Sequence, residues 1–385
     1  MKKFIIILMA IIFTNTVQVH AENLKIAATG AVLMDADTGR VLWERKSDEP
    51  MAVASTTKIM TAILAIESQR LDETAVVSGK AASSAEVKLG LKSGEEYKLG
   101  DLLYPLMLQS SNDAAVVIAE HLGGSVEGFA KMMNAKAEEL GAKNTKFVTP
   151  NGLDKDDNHS TAYDMALITA YALNNENFVK LINTREYTFS CLNKTRTFNA
   201  YNKNRLLNEY EGAIGVKTGF TGRAGQCFVG AAQRDGIRLI SVVLASGWGS
   251  AGKQQKWIDT KRLLNYGFEN YHKEQIITNG TEVGTVKILH SKEGEVMVQT
   301  CEDGFAMVSD DEKNCLNTSA RLLQCVEAPV KKGQVLGEIT VSTSTGEVLF
   351  ISELTAKNDV LRHDLRTSAE KTINLWLNSK FKCIL

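Results

Sequence analysis

The segment ASTTKIMTAIL, Ala54–Leu64, sets a lysine three residues after a serine at the point where an apolar helical pattern begins. Positions three apart share a helix face, so the Lys58 amine can approach the Ser55 hydroxyl if both lie in one turn. To take a proton near neutral pH, that amine must be uncharged. Lowering a lysine from about 10.4 to about 7 requires roughly 4 to 5 kcal/mol. A helix N-terminus supplies at most about 2 kcal/mol, so burial and a second cation have to supply the rest. The pattern predicts another basic element packed against this turn.

Around that segment the chain reads as an α+β protein. Its 385 residues are 44% apolar and 23% charged, enough for two or three domains with a sizeable core. The formal net charge of −1 argues against a general affinity for nucleic acid. Lys2 and Lys3 precede the apolar run Phe4 to Phe13, and Val19-His20-Ala21 offers small side chains for cleavage, so residues 1–21 read as a signal peptide of an exported protein. Ala31 to Met34 and Arg40 to Trp43 read as a hairpin about Asp35-Ala36-Asp37-Thr38-Gly39. From Ser55 to about Asn175 the spacing is helical, with Ile59, Leu64 and Ile66, then Leu102, Leu106 and Leu108, then Phe129, Met132, Met133 and Ala137 as candidate core.

Strand character returns from about Gly212 to Ser246, in VKTGF, CFVGAAQ and IRLISVVLA, with Arg234-Asp235-Gly236 as a tight turn. KWIDTKRLLNYGFENY then predicts a closing amphipathic helix that buries Ile258, Leu263, Leu264 and Phe268. An early hairpin and late strands with helices between them describe one domain over 22–272. Short β-type runs (VGTVKIL, GEVMVQT, GQVLGEITV, GEVLFIS) predict a small all-β domain over 273–355. Over 356–385, Leu361, Leu365, Ala369, Ile373, Trp376, Leu377 and Phe381 fall on one helical stripe beside Lys371, Lys380 and Lys382. No apolar stretch there is of spanning length, so this helix would lie on a membrane surface or on another protein. Six scattered cysteines without C-x-x-C spacing disfavour a zinc ribbon or a redox pair and leave pairing open.

Two stretches answer the demand for further polar groups. GVKTGF, Gly215–Phe220, places Lys217 in a strand-like run, and QSSND, Gln109–Asp113, places Ser110 and Asn112 at a helix junction. Serine and asparagine two apart in a loop can point together, a hydroxyl to relay a proton and an amide to hold a carbonyl. Alone, the first is an ordinary strand end and the second an ordinary helix cap. In this order they complete the S-x-x-K, S-x-N and K-T-G set of penicillin-interacting serine enzymes. Together with VLMDADTGRVLWERKSDEPMAVASTTKIMTA, FVTPNGLD, HSTAYDMA and GVKTGFTGRAGQCFVGAAQRDGIRLISVVLAS, the chain resembles the low-molecular-mass serine-type D-alanyl-D-alanine carboxypeptidases, penicillin-binding proteins of peptidase family S11.

That resemblance implies a transpeptidase-like catalytic domain, an antiparallel sheet with a helical lobe, followed by a small β domain and a membrane-anchoring amphipathic tail. It implies Ser55 as nucleophile, Lys58 as its base, Ser110 as proton relay to the leaving amine and Asn112 as a hold on the peptide stem. Lys217 would face the terminal carboxylate and lower the pKa of Lys58, and Thr218, Gly219 and Phe220 would bind the substrate as an added strand. Amides of Ser55 and Phe220 would form the oxyanion hole. The implied partners are the peptidoglycan pentapeptide stem, β-lactams as covalent inhibitors and the outer face of the cytoplasmic membrane, with no metal and no organic cofactor. Ser111 stands where many relatives have glycine, and GKQQKW offers Lys253 and Lys256 where some members use an arginine, a point charge in place of a fork. His159 reads as structural, and the absence of H-E-x-x-H and G-x-S-x-G disfavours a zinc peptidase or an α/β-hydrolase. A β-lactamase, a transpeptidase or a catalytically silent wall-binding scaffold are the alternatives that share the fold.

Overall fold

The computed structural model describes residues 24–153 and 157–363, together with Ala369 and Ile373. The signal peptide expected at 1–21 and, those two positions aside, the amphipathic tail expected beyond 363 lie outside the described residues.

The chain opens with a hairpin of β1 (Gly30–Asp35) and β2 (Val41–Arg45), and three late strands return beside it: β3 (Ala213–Thr221), β4 (Gly225–Arg234) and β5 (Ile237–Leu244). They form one antiparallel sheet in the order β2-β1-β5-β4-β3. Asp235 and Gly236 join β4 to β5 with φ of 49° and 78°, the positive values that a two-residue turn between twisted strands favours. Every residue of β1 is buried because both faces of the sheet are covered. Val32 and Met34 enter the core of the helical lobe, and Ala31 and Leu33 that of the opposite face.

On the first face lie α1 (Lys58–Glu67), α2 (Asn112–Gly123) and α3 (Ala162–Leu173). In α1 every residue from Lys58 to Ile66 is buried, as expected of a helix that is apolar all round and central to a domain. On the second face lies α4 (Gly249–Asn270). Here the spacing misjudged the buried stripe: Ile258 is 41% exposed and Trp257 is buried, its ring edge-on to Phe228 at 4.6 Å. The helix also starts earlier than its apolar pattern, because Gly252 packs on Gly247 and lets a polar first turn close against the sheet. Met132 is likewise exposed, while Phe129, Met133 and Ala137 are core.

The C-terminal part is all-β. A six-stranded sheet runs Asn317–Leu322, Val335–Ser342, Val348–Ala356, Glu295–Thr300, Glu282–Leu289, Cys325–Glu327, and His272–Ile277 pairs with Gly304–Val308. Its own core includes Val286, Val298, Leu336, Ile339 and Leu354. Arg40, in the β1–β2 turn, ties the two domains by gripping Glu312 and Glu347 (2.5 and 2.9 Å) with one guanidinium. Residues up to His363 stay with the β domain, Val360 paired with Val330 and Arg362 with Ser291, so Leu361 lies in extended chain. Ala369 and Ile373 are helical and exposed. Among the described residues no helix is long and apolar enough to cross a membrane, and no disulfide joins Cys191, Cys227, Cys301, Cys315 and Cys325.

Candidate active site

Ser55 lies in a short 3-10 turn, Ala54–Thr57, that runs directly into α1, and Lys58 is the first residue of that helix. Ala54 holds a left-handed φ of 47°, a conformation that non-glycine residues keep only where the surroundings enforce it. The turn sets both side chains on one side, with Lys58 Nζ 2.8 Å from Ser55 Oγ. Two more oxygens meet the same amine: Asn112 Oδ1 at 2.8 Å and the Asn151 carbonyl at 2.7 Å. Asn112 begins α2, and its Nδ2 donates to the Ala85 carbonyl at 3.1 Å, which turns Oδ1 toward the lysine.

Strand β3 closes the other side. A Cβ on Gly219 would lie 3.1 Å from both the Ser55 nitrogen and the Val53 carbonyl, so glycine at this position lets the strand backbone approach the turn that carries Ser55. Lys217 is buried, and its amine donates to the Thr218 carbonyl at 2.9 Å. Thr218 is half-buried, Gly219 buried and Phe220 51% exposed at the mouth. Ser110 ends the π-turn Pro105–Gln109 with φ 69°, half-buried. Ser55, Lys58 and Asn112 therefore form one hydrogen-bonded set. Lys217 reaches Lys58 through its charge, and Ser110 stands two residues before Asn112 on the same junction.

Burial holds Lys58 well below the ordinary lysine range, the positive charge of Lys217 acts in the same direction, and the carboxylate of Asp113 opposes it. Lys217 is itself lowered to about 7, by burial and then by the charges of Lys256 and Lys203. Lys256, offered by the sequence as a hold for a substrate carboxylate, is buried with its amine donating to Gln226 Oε1 at 2.7 Å and is lowered to about 8, first by burial. His159 pairs through its backbone with Lys146.

The sequence profile described as D-alanyl-D-alanine carboxypeptidase matches residues 15–247, well over half of the chain. This chain belongs to the D-alanyl-D-alanine carboxypeptidase family. The profile described as the C-terminal domain of penicillin-binding protein 5 matches residues 271–362. Among relatives, the D-alanyl-D-alanine carboxypeptidase DacF of Bacillus subtilis is 34% identical over 92% of this chain and 91% of its own length. DacB2 of Mycobacterium tuberculosis is 38% identical over 62% of this chain and 81% of its own. Penicillin-binding protein 5 of Haemophilus influenzae superposes with a TM-score of 0.72 at 29% identity, covering 88% of this chain and 98% of that one.

In this carboxypeptidase-family site, the Asn151 carbonyl is the participant that sequence reasoning missed. A backbone oxygen has no side-chain signature. The nearest signal was the turn-forming Pro150-Asn151-Gly152 in FVTPNGLD. Gly152 has φ of 76°, and a Cβ there would collide with the Ala54 carbonyl. Gly152→Ala is expected to displace the Asn151 carbonyl from Lys58, to destabilise the fold by roughly 1 to 3 kcal/mol and to slow acylation. Thermal unfolding alongside the rate of penicillin adduct formation measures both effects.

Proposed function

We propose that this chain is a serine D-alanyl-D-alanine carboxypeptidase that removes the terminal D-alanine from peptidoglycan pentapeptide stems through an acyl-enzyme on Ser55. The observation that carries the reading is the set of oxygens around Lys58. The Asn151 carbonyl and the oriented Asn112 Oδ1 can only accept hydrogen bonds, so they take the two N–H groups of a neutral amine. Its lone pair is then left facing Ser55 Oγ at 2.8 Å. Ser55 gives its proton to Lys58 as Oγ bonds to the carbonyl carbon of the penultimate D-alanine. The oxyanion falls to the amides of Ser55 and Phe220, a donor of this kind being worth roughly 2.7 to 4 kcal/mol. When the intermediate collapses, the C–N bond breaks, the proton passes by way of Ser110 to the leaving amine, and water later releases the shortened stem.

Lys217 serves in this scheme as counter-ion to the substrate carboxylate and as the cation that favours neutral Lys58, while Thr218, Gly219 and Phe220 offer backbone to the stem. A β-lactam places a strained amide in the same position and acylates Ser55. Export and attachment to the outer face of the cytoplasmic membrane are supported by the leader pattern and the apolar tail stripe with its lysines. Release of D-alanine from a diacetyl-Lys-D-Ala-D-Ala peptide tests the activity, and its absence in a protein that still folds would refute it. A transpeptidase reading has one observation behind it: the solved DD-transpeptidase of Streptomyces K15 is 34% identical over 63% of this chain. Adding an amine acceptor to the same assay separates the two.

Replacing Lys217 by methionine is expected to move stability and activity in opposite directions. With a native pKa of about 7 against 10.5, the unfolded chain binds more protons than the native one between those values, so stability rises with pH across that window. Lys217→Met removes that contribution, flattens the rise and stabilises the protein near neutral pH by roughly 2 to 4 kcal/mol. Acylation by an anionic substrate falls roughly 30-fold or more, from about 2 kcal/mol or more lost with one partner of a buried charge pair. Thermal unfolding between neutral and alkaline pH, run beside the peptide assay, reads both.

A further inference from the structure

We infer that Asp113 is a positioning residue for the Ser55–Lys58 pair: its buried carboxylate latches the strap of residues 84–91 onto the start of α2, and the strap in turn holds Asn112 in the orientation that Lys58 uses. This rests on the reading of Lys58 as the base for Ser55.

Asp113 has no exposed surface. Its Oδ1 accepts from the amides of Leu89 (3.1 Å) and Ala114 (2.9 Å), and its Oδ2 from those of Gly90 (2.9 Å) and Leu91 (3.1 Å). Three successive amides of the strap thus converge on one carboxylate, which has the acceptor capacity for all of them. A side-chain amide does not, because its NH₂ would face N–H donors. The strap has no regular secondary structure; Leu91 is buried in the core and Leu89 packs against it, but Ala85, Glu86 and Val87 are exposed, so apolar burial holds only its C-terminal end. Arg196 adds a polar anchor, donating to the Gly90 carbonyl at 3.1 Å.

The strap returns the grip on the residue next to the latch. The Val87 carbonyl accepts from the Asn112 backbone amide at 2.7 Å and the Ala85 carbonyl from Asn112 Nδ2 at 3.1 Å. An asparagine amide can sit either way round, and it is the Ala85 contact that directs Nδ2 outward and Oδ1 to Lys58. Releasing the strap frees that choice, and with it the direction in which the Lys58 lone pair points. The charge of Asp113 has a second consequence. The charged groups that act on Lys58 are Lys217 from β3 and Asp113 from α2, one disfavouring and one favouring the ammonium; Ser55, Asn112 and Asn151 are uncharged.

The experiment uses the full chain and measures the second-order rate of acylation by a fluorescent penicillin across pH, with amide hydrogen exchange of the strap followed by mass spectrometry. In Asp113→Asn the strap amides are expected to exchange at least about tenfold faster, and acylation to fall about tenfold or more. The acid limb of the pH profile moves to lower pH, since a carboxylate that favoured the ammonium is gone. Asp113→Glu keeps the charge but misplaces it, so its rate falls while its acid limb stays. A merely structural role would lower the rates without moving the limb, and that result overturns the inference. Should both variants fail to fold, the wild type decides: Leu89, Gly90 and Leu91 are expected to exchange as slowly as the body of α2, and free exchange there overturns the latch. A wild type that takes no adduct overturns the reading of the reaction and this inference with it. A wild type that reacts while Asp113→Asn reacts equally at every pH overturns the latch alone.

Discussion

Ser55→Ala is expected to take no covalent adduct from benzylpenicillin, and its release of D-alanine from the diacetylated tripeptide is expected to fall roughly 10⁴-fold or more. The size of the effect follows from the site's construction. The Lys58 amine, itself held by Asn112 Oδ1 and the Asn151 carbonyl, meets this one hydroxyl, and the adjacent threonine alcohols do not replace it: Thr56 donates to the Val53 carbonyl, and Thr57 is fully buried. The fold should be undisturbed, because Ser55 is half-buried and its hydroxyl reaches only the amine and, at 3.4 Å, the Asn151 carbonyl. Intact-protein mass before and after drug, with a thermal melt as control, measures it. An adduct of equal yield on the variant would move the nucleophile elsewhere.

The second large effect is expected at Lys58. Methionine has nearly the same length and no proton affinity, so Lys58→Met removes the proposed general base without opening a large void. General-base catalysis is typically worth about 10²- to 10⁴-fold, and acylation by penicillin should fall within that span while Ser55 remains in place. Stability should change little, since two effects oppose each other. The variant leaves Asn112 Oδ1 and the Asn151 carbonyl without their buried donor, at about 1 to 3 kcal/mol each, and it removes the burial penalty of the amine. The residual rate should also lose its acid limb, because the group whose deprotonation switches the reaction on is gone. Stopped-flow acylation across pH gives both numbers from one series.

Much of this architecture was legible in the chain because the signals were local. The Asp35 to Gly39 turn marked the hairpin, the Asp235-Gly236 pair marked the β4–β5 turn, and the spacing of Ile59, Leu64 and Ile66 marked α1. What escaped were features set by tertiary approach. Periodicity assigned Ile258 to the core, yet α4 is turned so that Trp257 meets Phe228, and its first turn is brought in by the close approach of Gly252 to Gly247. The site divides in the same way. Ser55, Lys58, Asn112 and Lys217 announce themselves as side chains in motifs. The Asn151 carbonyl does not, nor does the strap that orients Asn112, because both act through backbone groups that any residue carries. Lys256 carried the opposite lesson: its charge suggested a surface hold for a carboxylate, and burial against Gln226 assigned its amine elsewhere.

The proposed reaction requires Lys58 to be an amine and not an ammonium when Ser55 attacks. A heteronuclear NMR titration of the labelled Lys58 side chain in the uncomplexed protein tests that most directly. The expected result is a midpoint far below the ordinary lysine value of about 10.4, and a rise in that midpoint when Lys217 is replaced by methionine. A Lys58 still fully protonated at about pH 9, or one that does not respond to Lys217, would contradict it.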